Sequence, residues 1–301
     1  MSDDNDDVCL FIGNSDVGAF KLVHGSRVRV MRYSTATAKG LGQNNKNSQS
    51  ILDILRTKYS RVDLSAIVWM FGSVDAKFSY YFKLCHEWGG LETDKPDPFK
   101  LMEECAAKYV QFVKKVHDEF LLPRKTNAKT VVLGAEPNGA VPSLLFEQCV
   151  KYFVTQDTPE NKRRVMASIA QHHPDSLRLK LNESLKKACL ENNLCYVDLD
   201  DDLLDLPGVE APSLDVSVTK QEFTDISPTS AHLNWEGVLV FYIEKLRAIG
   251  VNISYTLDLG STRDEYIHEK KNRKRKPMAV IEERRLKSMN THIDEREVQP
   301  R

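Results

Sequence analysis

Val8-Cys9-Leu10-Phe11-Ile12, followed by Gly13-Asn14-Ser15-Asp16, is the stretch whose reading decides the fold. Five consecutive apolar residues suit a strand covered on both faces, as in a parallel sheet. The polar, glycine-containing turn stands at the strand's carboxyl end and leads into a segment able to start a helix. Open α/β sheets bind their ligands at that edge, so the Ser15 hydroxyl is a candidate nucleophile. The same tetrapeptide also suits an ordinary turn or a helix cap, so the rest of the chain must decide.

Working outward, four more apolar runs read as strands: Arg27 to Tyr33, Ala66 to Phe71, Thr130 to Gly134 and Leu194 to Leu199. Helical periodicity lies between them. Ser48 to Tyr59 carries Ile51, Leu52 and Leu55 on one side. Asp97-Pro98 opens a long helix, with an aspartate cap and proline in the first turn, whose apolar face runs from Met102 to Phe120. Further helices are expected at Val141 to Val154, at Asn161 to Asn192 with a break at His173-Pro174, and at Trp235 to Ile249. Strands alternating with helices imply right-handed crossovers. The expected fold is a three-layer α/β/α sandwich around a mostly parallel five-stranded sheet. Its domain should span residues 8 to 258, after an acidic, disordered stretch at 1 to 7 and before a charged, basic tail at 259 to 301.

The 301 residues are 41% hydrophobic and 28% charged, with a net charge of -1. That balance argues against whole-surface attraction to nucleic acid. Without a run of about 20 apolar residues or a basic leader, no membrane partner is expected. The localisation expected is cytoplasmic, or nuclear through the basic run Lys270 to Lys276, which is also the one segment suited to nucleic acid. Short and standing alone, that run reads in preference as a solvated tail or charged helix. Six cysteines without a Cys-x-x-Cys pair read as buried thiols, not disulfides or a zinc site. No metal or cofactor is expected. Asp198 to Asp202 reads as a solvated helix start in preference to a magnesium cluster, and His172-His173-Pro174 as a helix end.

The first four proposed strands end in polar or glycine-containing turns: Gly13-Asn14-Ser15-Asp16, Tyr33 to Gly42, Gly72-Ser73-Val74-Asp75 and Gly134 to Gly139. Asp225 to Trp235 then precedes the last helix. This order resembles the SGNH (GDSL-type) hydrolase superfamily over roughly residues 8 to 250. The family's Gly-Asp-Ser block appears as Gly13-Asn14-Ser15, its second-block glycine matches Gly40, its Gly-x-Asn-Asp block appears as Gly72 to Asp75, and its final histidine matches His232. Two positions depart from the pattern: Val74 stands where the family has an amide donor, and Thr229 stands three residues before His232, leaving Asp225 as the nearest upstream acid.

The resemblance implies a flavodoxin-like fold and ester hydrolysis through an acyl-serine. Ser15 would be the nucleophile, His232 its base and Asp225 the group orienting that base. The backbone N–H groups of Ser15 and Gly40 would form the oxyanion hole. Asn14, Asp75, Tyr80 and Asn138 are candidate contacts to a small or carbohydrate ester. Asn138 also suits a plain turn before Gly139. In the aromatic run after the third strand, Phe78 and Phe82 are expected in the core, with the hydroxyls of Tyr80 and Tyr81 turned to a pocket. A binding protein with weak or lost activity, its basic tail recruiting a partner, is the alternative that Val74 and Thr229 favour.

Overall fold

The computed structural model describes residues 7–23, 28–34, 36–86, 96–124, 127–137, 158–205, 218–219 and 235–253. All belong to the unit Met1–Thr256; the second unit, Leu257–Arg301, lies outside the described residues. So do the helix expected at Val141 to Val154, the basic tail, and Asn138, Asp225 and His232.

The five expected strands are present: β1 (Val8–Gly13), β2 (Val28–Arg32), β3 (Leu64–Met70), β4 (Lys129–Leu133) and β5 (Cys195–Val197). They form one sheet in the order β2-β1-β3-β4-β5, and every pair is parallel. All six residues of β1 are buried, as its unbroken apolar run requires of a strand covered on both faces. β6 (Leu204–Asp205) and β7 (Val218–Thr219) form a separate antiparallel pair that the apolar pattern does not announce.

The helices are α1 (Ala38–Leu41), α2 (Lys46–Lys58), α3 (Tyr80–His86), α4 (Pro98–Val116), α5 (Pro159–Gln171), α6 (Pro174–Glu191), α7 (Asp200–Leu203) and α8 (Trp235–Ala248). A 3-10 segment, Asp16–Leu22, follows β1, and a π-helical turn, Asp75–Ser79, leads into α3. The sequence signals for helix ends act as written. Asp97 caps α4 by accepting from the Phe99 N–H at 2.9 Å, with Pro98 in the first turn. His173 caps α6 by accepting from the Asp175 N–H at 3.2 Å, which accounts for His172-His173-Pro174.

One face of the sheet presents Leu10, Ile12, Ile67, Trp69 and Val132 to α2, α4 and α6. There Trp69 meets Phe112 edge to face at 5.8 Å and Phe71 meets Tyr109 likewise. On the alternate positions of β1, Phe11 stacks on Phe20 of the 3-10 segment at 3.8 Å, and Phe20 meets Tyr242 of α8 at 5.6 Å. Aromatic pairs of this kind contribute about 0.5–1.5 kcal/mol beyond area burial, and these join the segment after Ser15 to the last helix. Cys9, Cys105 and Cys189 are buried and free, and burial pushes the Cys9 and Cys189 thiols up to about 12. No helix among the described residues is long and apolar enough to cross a membrane.

Candidate active site

The chain leaves β1 toward β2 on one side and returns to β3 on the other. The strand order therefore reverses at β1, and such a switch point opens a crevice at the carboxyl ends of the strands. Ser15 stands there, two residues beyond β1. Gly13 allows the approach: a Cβ on it would lie 2.5 Å from the Met70 carbonyl of β3. At the end of β3 Gly72 adopts φ +114, and a Cβ there would also press on Leu181 at 2.9 Å. Positive φ with little room is glycine's territory.

The Ser15 turn is pinned from both sides. Asn14, 1% exposed, donates from Nδ2 to Ser73 Oγ at 2.6 Å and accepts the Asp16 N–H on Oδ1 at 3.0 Å. Ser73 Oγ donates in turn to Asp16 Oδ2. Asn14 and Asp16 are thus buried and committed, whereas Ser15 between them is half-buried. Its Oγ faces Asp16 Oδ1 at 3.5 Å, beyond the usual range for hydroxyl hydrogen bonds. Its N–H has no hydrogen-bond partner among the described residues. A serine whose hydroxyl is held only by this long contact, and whose N–H has no partner among the described residues, has the local geometry for nucleophilic attack and for one oxyanion contact.

Gly40 stands differently. It is the third residue of α1, and its N–H donates to the Thr37 Oγ1 cap at 3.0 Å. The Ala38 and Lys39 N–H groups donate to Asp75 Oδ2 and Oδ1 at 2.6 and 3.2 Å, and the Leu41 N–H donates to the Thr37 carbonyl. Every N–H of this helix start is occupied, so the Gly40 N–H is spent on its cap.

Asp75, expected near substrate, is 3% exposed, and its carboxylate closes the amino end of α1. Burial raises its pKa, opposed by hydrogen bonds from Ala38, Lys39 and the Cys105 thiol. Asp75→Ala would leave the buried Ala38 N–H and the part-buried Lys39 N–H without acceptors, at roughly 1–3 kcal/mol for a buried group. Urea unfolding is expected to show a loss of about 3 kcal/mol or more; a smaller loss would mean that water replaces the carboxylate.

The aromatic run departs from expectation at the two tyrosines. Tyr80 and Tyr81 are buried, at 0% and 1% exposure, meeting edge to face at 5.3 Å, and the Tyr81 hydroxyl donates to the His172 carbonyl at 2.5 Å. Phe78 and Phe82 are only half-buried. The π-helical turn after β3 adds a residue to the helix repeat, and both tyrosines lie in the core while Phe78, as expected, packs against it from a half-buried position. Tyr80 belongs to the core, not to a pocket wall.

Asp198 to Asp202 forms a helix start, with Asp198 Oδ1 accepting the Asp200 N–H at 3.3 Å, but it is not left to solvent. Asp200 meets the fully buried Arg178 guanidinium at 2.5 Å, and Asp202 meets Lys245 of α8 at 2.6 Å. Asn182 links Asp200 to the turn after β4, accepting from the Ala135 N–H at 2.7 Å and donating to the Ala135 carbonyl at 3.1 Å. Among the described residues no group of three His, Cys, Asp or Glu could hold a metal.

Sequence reasoning passed over Glu136, in the same β4 turn as Asn138. Glu136 is 3% exposed. Burial, and next the Asp16 charge, push its pKa up to about 8 against the attraction of Lys77, and its Oε1 has no hydrogen-bond partner among the described residues. The Lys77 ammonium, 4% exposed, donates to the Pro137 carbonyl at 3.1 Å. The only signal for this cluster was a glutamate beside a proline at a strand end.

No family model matches the sequence, and no curated protein matches it. Solved structures do resemble it. A proposed acylhydrolase of Bacteroides fragilis is 14% identical, covering 82% of this chain and 88% of its own, with a TM-score of 0.44. A GDSL-like lipase of Bacteroides thetaiotaomicron is 12% identical over 80% of this chain and 86% of its own, with a TM-score of 0.40. A carbohydrate acetylesterase of Sinorhizobium meliloti is 14% identical over 65% and 85%, with a TM-score of 0.36. The strand order by itself shows the parallel five-stranded α/β sheet.

Proposed function

We propose that this chain is an SGNH-type serine ester hydrolase or deacylase, acting on a small or carbohydrate ester through an acyl-Ser15 intermediate. The observation that carries the reading is the Ser15 turn: a half-buried serine at the switch point of a parallel sheet, between two buried residues locked to the end of the neighbouring strand. In this reading Ser15 Oγ attacks the ester carbonyl, and His232 takes its proton, oriented by Asp225. The Ser15 N–H receives the oxyanion, and the proton on His232 then passes to the leaving alcohol. Asn14 holds the nucleophile's turn, and Asn138 contributes a substrate contact.

A second reading, a binding protein that keeps the fold with little turnover, is favoured by a specific pair of observations. The Gly40 N–H is held by Thr37, and Val74 cannot donate a hydrogen bond. An oxyanion hole reduced to one donor is expected to be slow, since each donor contributes about 3–4 kcal/mol.

A fluorophosphonate probe on the purified chain, followed by mass spectrometry of the labelled peptide, separates the two. Adduct on Ser15, lost in His232→Ala, supports the hydrolase. Folded protein without adduct, together with binding of acetylated sugars that survives Ser15→Ala, supports the binding protein.

A further inference from the structure

The segment after β3 reaches the Ser15 turn through one hydroxyl. Gly72, at φ +114, turns the chain at the end of the strand, and the Ser73 that follows is 6% exposed. The direction of each hydrogen bond around it is fixed. The Asp16 backbone N–H can only donate, and it donates to Asn14 Oδ1 at 3.0 Å, so the other end of that side-chain amide is its NH2 group. Asn14 Nδ2 therefore donates to Ser73 Oγ, at 2.6 Å. A hydroxyl has one proton to give, and Ser73 gives it to Asp16 Oδ2. The residues on either side of Ser15 are thus fastened to a single oxygen atom of another element.

We propose that Ser73 is the positioning residue for Ser15: its hydroxyl, bonded at once to the Asn14 amide and the Asp16 carboxylate, sets the orientation of the serine between them. The backbone of the turn is attached independently. The Asn14 N–H donates to the Met70 carbonyl at 3.0 Å, the Tyr33 N–H to the Gly13 carbonyl at 2.8 Å, and the Gly18 N–H to the Ser15 carbonyl at 3.1 Å. Loss of the Ser73 hydroxyl therefore leaves the chain path in place and removes the shared anchor of the two flanking side chains. A reacting group misplaced by about 1 Å can lose about a hundredfold in rate, and it keeps its aim only when the residues behind it are themselves bonded. Two residues on, Asp75 holds the Ala38 and Lys39 N–H groups of α1, so alternate side chains of this one segment brace two turns. The consequence for reactivity rests on Ser15 as the proposed nucleophile; the consequence for the order of its turn does not.

Ser73→Ala in the full chain is the test, beside Ser73→Thr, which keeps the hydroxyl. Where wild type labels with fluorophosphonate, Ser73→Ala should label Ser15 about ten- to a hundredfold more slowly. Its kcat for p-nitrophenyl acetate should fall as far, with KM changed by less than about twofold, and Ser73→Thr should recover most of the loss. Wild-type labelling and kcat in folded Ser73→Ala, or a folded threonine variant as slow as the alanine one, would overturn the proposal. Should Ser73→Ala fail to fold, Ser73→Cys takes its place, since a thiol keeps the shape and donates only weakly; the same slowing is expected, and wild-type rates would overturn it. Hydrogen exchange of the Asp16 amide, resolved by NMR, reads the clamp without turnover. The acceptor of that amide is the Asn14 side chain, so its exchange should quicken about tenfold or more in Ser73→Ala, while the amides of β1 keep their protection. If wild type never labels, the hydrolase reading fails on its own: faster Asp16 exchange would then still uphold Ser73 as the clamp of the turn, and unchanged exchange would overturn that too.

Discussion

Ser15→Ala is expected to abolish fluorophosphonate labelling and to lower ester turnover by about a thousandfold or more, with the melting temperature changed by no more than about 2 °C. The two halves of this result have different causes. Turnover is lost because the hydroxyl is the only atom that can form the acyl intermediate. Stability is kept because that hydroxyl does little for the fold: its partner Asp16 Oδ1 is 3.5 Å away, and the turn is held by Asn14, Asp16 and Ser73 instead. Steady-state hydrolysis of p-nitrophenyl acetate beside a thermal melt measures both. Turnover undiminished in a folded variant would remove Ser15 from the chemistry.

Val74→Asn is expected to raise turnover, by about ten- to a hundredfold, through kcat more than KM. A single oxyanion donor contributes about 3–4 kcal/mol of transition-state stabilisation, and an added donor recovers part of that when its aim is imperfect. Position 74 is well placed to accept one. Ser73 on one side is bonded to Asn14 and Asp16, and Asp75 on the other is bonded to the start of α1. The backbone at 74 is therefore held while its side chain stays half-buried. Asparagine is close to valine in size, so the exchange should cost little packing, though it forfeits some apolar burial. An unchanged kcat in a variant that still labels at Ser15 would place the oxyanion away from residue 74.

Much of this molecule was legible in its residues. Nearly uninterrupted apolar blocks such as Val8 to Ile12 can satisfy a sheet only when covered on both faces, and β1, β3 and β4 stand on such blocks, while β2 and β5 stand on the more mixed runs. Asp97-Pro98 and His173-Pro174 mark helix starts because their chemistry is local: a side chain caps an N–H two residues on. The placement of Ser15 at the strand's carboxyl edge is likewise local. β6 and β7 escaped notice because two-residue strands carry no period.

What the sequence by itself determined is therefore the order of strands and helices and the turn that presents Ser15, since both rest on contacts between neighbours in the chain. Only the tertiary structure decided which polar groups are consumed by the fold. Asp75 is spent on the start of α1, the Gly40 N–H on Thr37, and Tyr80 and Tyr81 on the core. Asp200 is paired with Arg178, and Glu136 is buried in the turn after β4, where the Pro137 carbonyl accepts from Lys77. The physical reason is that burial and charge pairing depend on residues distant in sequence, and no local pattern records whether a carboxylate will meet water, a helix start or another carboxylate.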